Sequence, residues 1–154
     1  MNASNRLCEQ LLCKYTNFHR LNEKKIVGYK VAEKKNLNYY SVVTGLFRYK
    51  ARRVSENSYS SLYQRGTDVY EDIMKDKVSV FREKEDAIKF LSEFPKFIDY
   101  NTELVLLEIT LSENLYSVKC SNDFHSELDA VAGEFMEKIK EIEVIFNSKN
   151  NNKV

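Results

Sequence analysis

Glycine and proline are scarce: the chain has four glycines, Gly28, Gly45, Gly66 and Gly133, and one proline, Pro95. That leaves no glycine-rich phosphate loop, and no HExxH, HxxEH or GxSxG pattern occurs either. Standard nucleotide-hydrolysing and metalloprotease chemistry is therefore disfavoured. Cysteine and histidine are also few, at three and two. An odd number of cysteines forms no disulfide framework and fits a reducing compartment, so all three are read as free thiols. Cys8 and Cys13 lie five apart, about 140° around a helix, and cannot share a metal while helical. His125 with Cys120, Asp123 and Glu127 matches no known ligand spacing, and His19 stands at the end of a predicted helix. No metal site is assigned.

Long apolar runs are missing as well. None reaches the roughly 18 residues of a membrane span, and Met1 to Arg20 lacks the apolar segment of a signal peptide. The expectation is a cytoplasmic protein with no membrane partner. Neither sign of charge dominates, with 24 Lys and Arg against 23 Asp and Glu. Global charge thus predicts neither a nucleic-acid protein nor an acidic one, and any charge-driven binding must come from local clustering.

What is present is organised around Val78 to Leu111. VSVF reads as a short strand. In REKEDAIKFLSEF, Ala87, Ile88, Leu91 and Phe94 recur at helical spacing, with Phe90 beside them. Glu83, Glu85 and Asp86 crowd the first turn, where the helix macrodipole favours carboxylates by roughly 0.3–1 kcal/mol each. Pro95 ends the helix at about Phe94. In LVLLEITL, Val105, Leu107, Ile109 and Leu111 fall on one strand face and Leu104, Leu106, Glu108 and Thr110 on the other. Such a strand lies centrally, buried on one side throughout and on the other over its first half, with Glu108 where the cover ends.

Elsewhere, Leu7, Leu11, Leu12, Tyr15 and Phe18 predict an N-terminal helix over about Ser4 to Arg20. Ile26–Val31 and Tyr39–Thr44 read as strands separated by a polar turn, and Leu46–Val54 as a third, broken from the second at Gly45. An antiparallel meander joins the three economically. Ser55 to Asp76 reads as a loop followed by a short helix from about Asp68, either functional or merely mobile. Leu115–Cys120 is a further strand. From Ala130, Val131, Phe135, Ile139 and Ile142 suit a helix that gives way to a last strand near Glu141. The fold expected is α+β: an N-terminal helix and a mainly antiparallel sheet of five to six strands, with one or two helices packed on it. It spans residues 1–146 as a single domain, followed by a polar, disordered tail over 147–154.

The most suggestive cluster is Arg48, Lys50 and Arg52 on one strand face, with Arg53 next to them and Tyr39, Tyr40, Tyr49, Tyr59 and Tyr63 nearby in sequence. Three cations side by side repel unless solvent or an anion screens them, and guanidinium groups fit phosphate bidentately. Tyrosines would add base stacking. Either this is a solvated sheet edge or it binds an anion; the ligand-binding candidates are Lys30, Tyr39, Arg48, Lys50, Arg52, Tyr59 and Tyr63. Glu108 either pairs with a cation of a neighbouring strand or faces a cleft as a carboxylate of raised pKa.

Taken together, VGYKV, YYS, VSVFREKEDAIKFL and LVLLEITL resemble, in their layout from about Lys25 to Leu111, the small ADP-ribosyltransferase-like domains of bacteria and phages. The resemblance implies an NAD-using enzyme in which Tyr40 and Ser41 match the second-strand element and Glu108 or Glu134 the late glutamate. The first strand offers Tyr29 and Lys30 where the family has arginine or histidine. The residues themselves favour a non-catalytic binding or inhibitor protein of phage or viral accessory type. It would engage a nucleotide-like anion or an acidic partner surface and need no cofactor, with single-stranded nucleic-acid binding as a further alternative and room for a homodimer.

Overall fold

The computed structural model of the chain describes residues 14–42, 53–56, 77–90, 103–121 and 127–147. Among these residues, β1 is Lys14–Arg20, β2 Lys25–Lys35, β3 Asn38–Ser41, β4 Arg53–Val54 and β5 Val78–Phe81. A helix, α1, covers Lys84–Phe90, and β6 Glu103–Ser112, β7 Tyr116–Ser121, β8 Leu128–Gly133 and β9 Phe135–Asn147 complete the set. All nine strands join one sheet in the order β1-β7-β8-β5-β2-β3-β4, with β6 on the other edge of β2 and β9 beyond β6. Every pairing is antiparallel. The α+β expectation is corrected: the described chain is predominantly β, with more strands than foreseen and a single short helix. The loop and helix expected over Ser55–Asp76 fall, beyond Glu56, outside the described residues, as does the tail after Asn147.

The central strand is the part of the pattern that carried through. Val105, Leu107, Ile109 and Leu111 are all fully buried, as are Leu104 and Leu106, while Glu108 and Thr110 are half-exposed. Two apolar layers therefore flank β6. Leu104 and Leu106 pack with Val31, Phe81 and Phe90 on one side. Val105 and Leu107 pack with Ala32, Val80, Val131 and Met136 on the other. Helix α1 seats Ala87 and Phe90 in the first layer and stacks Phe90 on Phe81 with ring centroids 5.2 Å apart. Ile88, expected on the buried face, is 37 % exposed.

Both helices that the apolar spacing predicts outside Val78–Leu111 are strands where they are described, and both carry β-bulges. On β1, Thr16 pairs with Lys119 and His19 with Ser117, so Asn17 and Phe18 oppose the single residue Val118. Asn17 at this bulge is left-handed, with φ of 57°. On β9, Met136 and Lys138 oppose the consecutive Leu111 and Thr110, Glu141 and Glu143 oppose Leu107 and Leu106, and Val144 and Phe146 oppose Val105 and Leu104. Glu137, Ile142 and Ile145 are thus one extra residue each. Every bulge shifts the alternation by one, and three in one strand leave apolar residues at spacings that imitate a helix.

Strand β2 is the branch point of the sheet. One edge pairs with β6 from Lys25↔Ser112 to Glu33↔Leu104. The other is shared between β5, at Tyr29↔Phe81, and β3, from Ala32↔Ser41 to Lys35↔Asn38. At the junction a Cβ on Gly28 would lie 2.3 Å from Val80 Cγ2 and 2.9 Å from the Phe81 carbonyl oxygen. Only glycine lets β5 approach this closely.

The β2–β3 hairpin turns through Asn36 and Leu37, with φ of 49° and 70°. Both are left-handed, the pattern of a type I′ turn, whose second position favours glycine. Leucine there costs about 1–2 kcal/mol of backbone strain, and its side chain is 85 % exposed. The strand continues to Lys35, so the polar turn expected over Glu33–Asn38 is shorter than the composition indicates.

Candidate functional site

The end of the sheet where β3, β4 and β9 meet is built by hairpin register. Lys34 and Tyr39 are cross-strand partners on β2 and β3, which sets their side chains side by side. Both reach the same oxygen of Glu141 on β9: the Tyr39 hydroxyl donates to Oε1 at 2.8 Å and the Lys34 ammonium at 3.0 Å. These donors hold the Glu141 carboxyl below its usual range, Lys34 first and Tyr39 second. Lys34 is raised chiefly by its hydrogen bond to Glu141. Tyr39 is raised by burial first and then by Glu141. The triad is an ionised carboxylate with its donors fixed. Such a carboxylate is a poor general base, and the phenol is a poor nucleophile.

The linkage has a definite sign. The Glu141 contribution is present above the unfolded carboxyl value and lost as pH falls through the lowered folded one. Those of Tyr39 and Lys34 are present below their unfolded values and lost as pH rises through the raised ones. Tyr39→Phe removes one donor and leaves Lys34 in place, so we expect a loss of about 0.5–1.5 kcal/mol. The check is urea denaturation at neutral pH, together with the loss of one late-titrating phenol in the tyrosinate absorbance curve.

Beside the triad lies a cleft of about 210 Å³, lined by Leu37, Tyr39, Val54 and Ile139 together with the polar Asn38, Arg53, Ser55 and Glu56. It is the seam where β4 approaches β9 without strand pairing; instead Glu56 Oε2 accepts a hydrogen bond from the Ile139 amide at 3.0 Å. Arg53 is exposed and donates to Asn38 Oδ1 at 2.6 Å. In the β3–β4 register Tyr40 stands directly beside Arg53, and Tyr39 beside Val54.

Of the residues the sequence singles out for ligand binding, Lys30 and Tyr39 are described, and Arg48, Lys50, Arg52, Tyr59 and Tyr63 lie outside the described residues. Lys30 stands opposite Leu107, four residues and about 13 Å along β2 from Lys34. The residues implied by the ADP-ribosyltransferase resemblance do not converge. Tyr40 pairs with Glu33, and Glu108 with Tyr29, whose hydroxyl reaches Glu108 Oε2 at a long 3.5 Å. Glu33 and Tyr29 are four residues apart, again about 13 Å. Ser41 shares its sheet face with Ala32, the face opposite to that of Tyr29 and Glu108, because strand side chains alternate. Glu134 follows β8 at the far end of β6, 3.4 Å from the buried Lys77 ammonium, which also sits 5.1 Å over the Tyr116 ring.

Sequence reading missed Lys34, Glu141 and the buried Glu33. No local signal marks them: Glu141 lies just before a bulge, and only the pairing of strands more than 100 residues apart brings it to Lys34 and Tyr39. Among the described residues no group of His, Cys, Asp and Glu side chains is placed to hold a metal ion. No described helix is long and apolar enough to cross a membrane. No family model, no curated protein and no solved structure matches the chain.

Proposed function

We propose that the chain is a non-catalytic binding protein that engages a nucleotide-like anion or an acidic partner surface through the basic, tyrosine-bearing face of β3 and β4. The observation that supports this reading is the register of that hairpin. It puts Tyr40 directly beside the exposed Arg53, an aromatic and a guanidinium side by side as anion and base recognition require. The dispersal of Tyr40, Ser41, Glu108 and Glu134 is why binding is preferred to catalysis.

The test is a thermal-shift titration with NAD, ADP-ribose, cyclic dinucleotides, a short single-stranded oligonucleotide and a polyglutamate peptide. A ligand that binds the native state alone raises apparent stability by about 2.7 kcal/mol at a hundred times its dissociation constant. That corresponds to a rise of roughly 5–10 °C for a chain of this size. Arg53→Glu should abolish the shift. An unchanged shift in that variant, or no shift with any probe, would remove the proposal. Binding of the oligonucleotide alone, falling steeply with salt, would point to single-stranded nucleic acid instead. NAD consumption lost in Glu108→Gln or Glu134→Gln would point to the enzyme.

A further inference from the structure

We infer that the tip of the β2–β3 hairpin is a self-association surface, in which Leu37 of one copy of this chain enters the cleft beside Ile139 of a second copy, and the reverse. Leu37 is the largest exposed apolar side chain at a strained position: left-handed backbone, in a turn where Asn-Gly would relieve the strain and remove the exposure together. The left-handed backbone of a leucine is an outlier of the kind that accompanies a function.

The occupant follows from the geometry of the patch. Leu37 is an exposed side chain and, at the same time, part of the lining of the cleft of about 210 Å³ that Val54 and Ile139 share. That volume exceeds the ~150 Å³ of an apolar cavity that takes up benzene, so an isobutyl group fits. Knob and hole side by side on one molecule are what a two-fold interface needs, because the insertion made by each copy is then returned by the other. The charges fit the same operation. Arg53 and Glu56 are both exposed on the cleft, so a second copy of the same surface brings an anion for Arg53 and a cation for Glu56. Like-charged partners would have excluded the arrangement; one cation and one anion favour it. A hairpin tip covers little area, so the dimer is weak and depends on concentration.

Sedimentation velocity of the full chain from low micromolar to near millimolar concentration tests this. The wild type should pass from monomer to dimer within that range. Leu37→Gly and Leu37→Asp should each weaken association by at least about tenfold. Leu37→Gly should also unfold at a higher temperature than the wild type, since it relieves the turn; this separates loss of the knob from loss of the fold. A wild type that stays monomeric throughout overturns the inference, and so does a Leu37→Asp variant that dimerises with an unchanged midpoint. Leu37→Gly adds no charge beside Arg53 and leaves Tyr40 in place, so its thermal-shift titration with anions, run at low micromolar concentration, should match the wild type. The two proposals can therefore fail separately.

Discussion

Gly28→Ala should destabilise the protein by about 3 kcal/mol, the upper part of the range for overpacking a filled core. The added methyl would meet Val80 Cγ2 at 2.3 Å and the Phe81 carbonyl oxygen at 2.9 Å. Neither neighbour yields easily. Val80 is β-branched and fully buried, with one preferred rotamer. Phe81 contributes backbone at the bridge that joins β5 to β2. Relief requires the two strands to separate where β5, β8, β7 and β1 attach to the rest of the sheet. For a chain of this length the loss corresponds to a melting temperature lower by roughly 6–12 °C. Val80→Ala in the same chain should restore part of it, and a double-mutant cycle measured by urea denaturation should show a coupling of about 1 kcal/mol or more. Strict additivity of the two substitutions would show that the contact at Gly28 is not the cause.

Leu106→Ala should cost about 3–5 kcal/mol, the high end for truncating a buried leucine. The side chain is fully buried on a strand with apolar layers on both sides. Collapse of the cavity would have to draw in β2 or α1, both of which are held by other contacts. Val144→Ala is the comparison. It lies one strand away on β9 at 48 % exposure and should change stability by less than about 0.5 kcal/mol. Total stability for such a domain is of order 5–15 kcal/mol, so Leu106→Ala is expected to fold only marginally. Equal losses in the two variants, measured by chemical denaturation, would mean that β6 is not the centre of the core.

How much of this was legible in the residues follows from one property, the regularity of the strand. β6 has no extra residue of its own, so its alternation is intact and its burial pattern can be read directly, including the change of character at Glu108. Short elements with strong local signals, VSVF and the acid-led helix after it, were equally readable. β1 and β9 were not, because bulges at Asn17, Glu137, Ile142 and Ile145 break the alternation and bring apolar side chains to near-helical spacing. The candidate site was legible only in part. Tyr39 stood out by composition, but its partners Lys34 and Glu141 are defined by pairings across the sheet. The neighbourhood of Tyr40 and Arg53 likewise depends on hairpin register, which composition does not encode. The resemblance to ADP-ribosyltransferase-like domains rested on layout along the chain, and layout says nothing about which face of a strand a side chain takes.

The bulges of β9 have a consequence beyond disguise. Among the described residues this thirteen-residue strand pairs only with β6, and no other described strand covers its outer edge, beside Ile142, Val144, Ile145 and Phe146. A straight edge of that composition is a template on which unfolded or neighbouring chains add as further strands and grow into aggregates. Three changes of phase deny an incoming strand any run of evenly spaced partners. Lys138, Lys140 and Glu143 are exposed along the same strand, and Glu56 occupies the amide of Ile139. The irregularity that makes β9 hard to recognise in the sequence is, on the folded molecule, a guard against the addition of further strands.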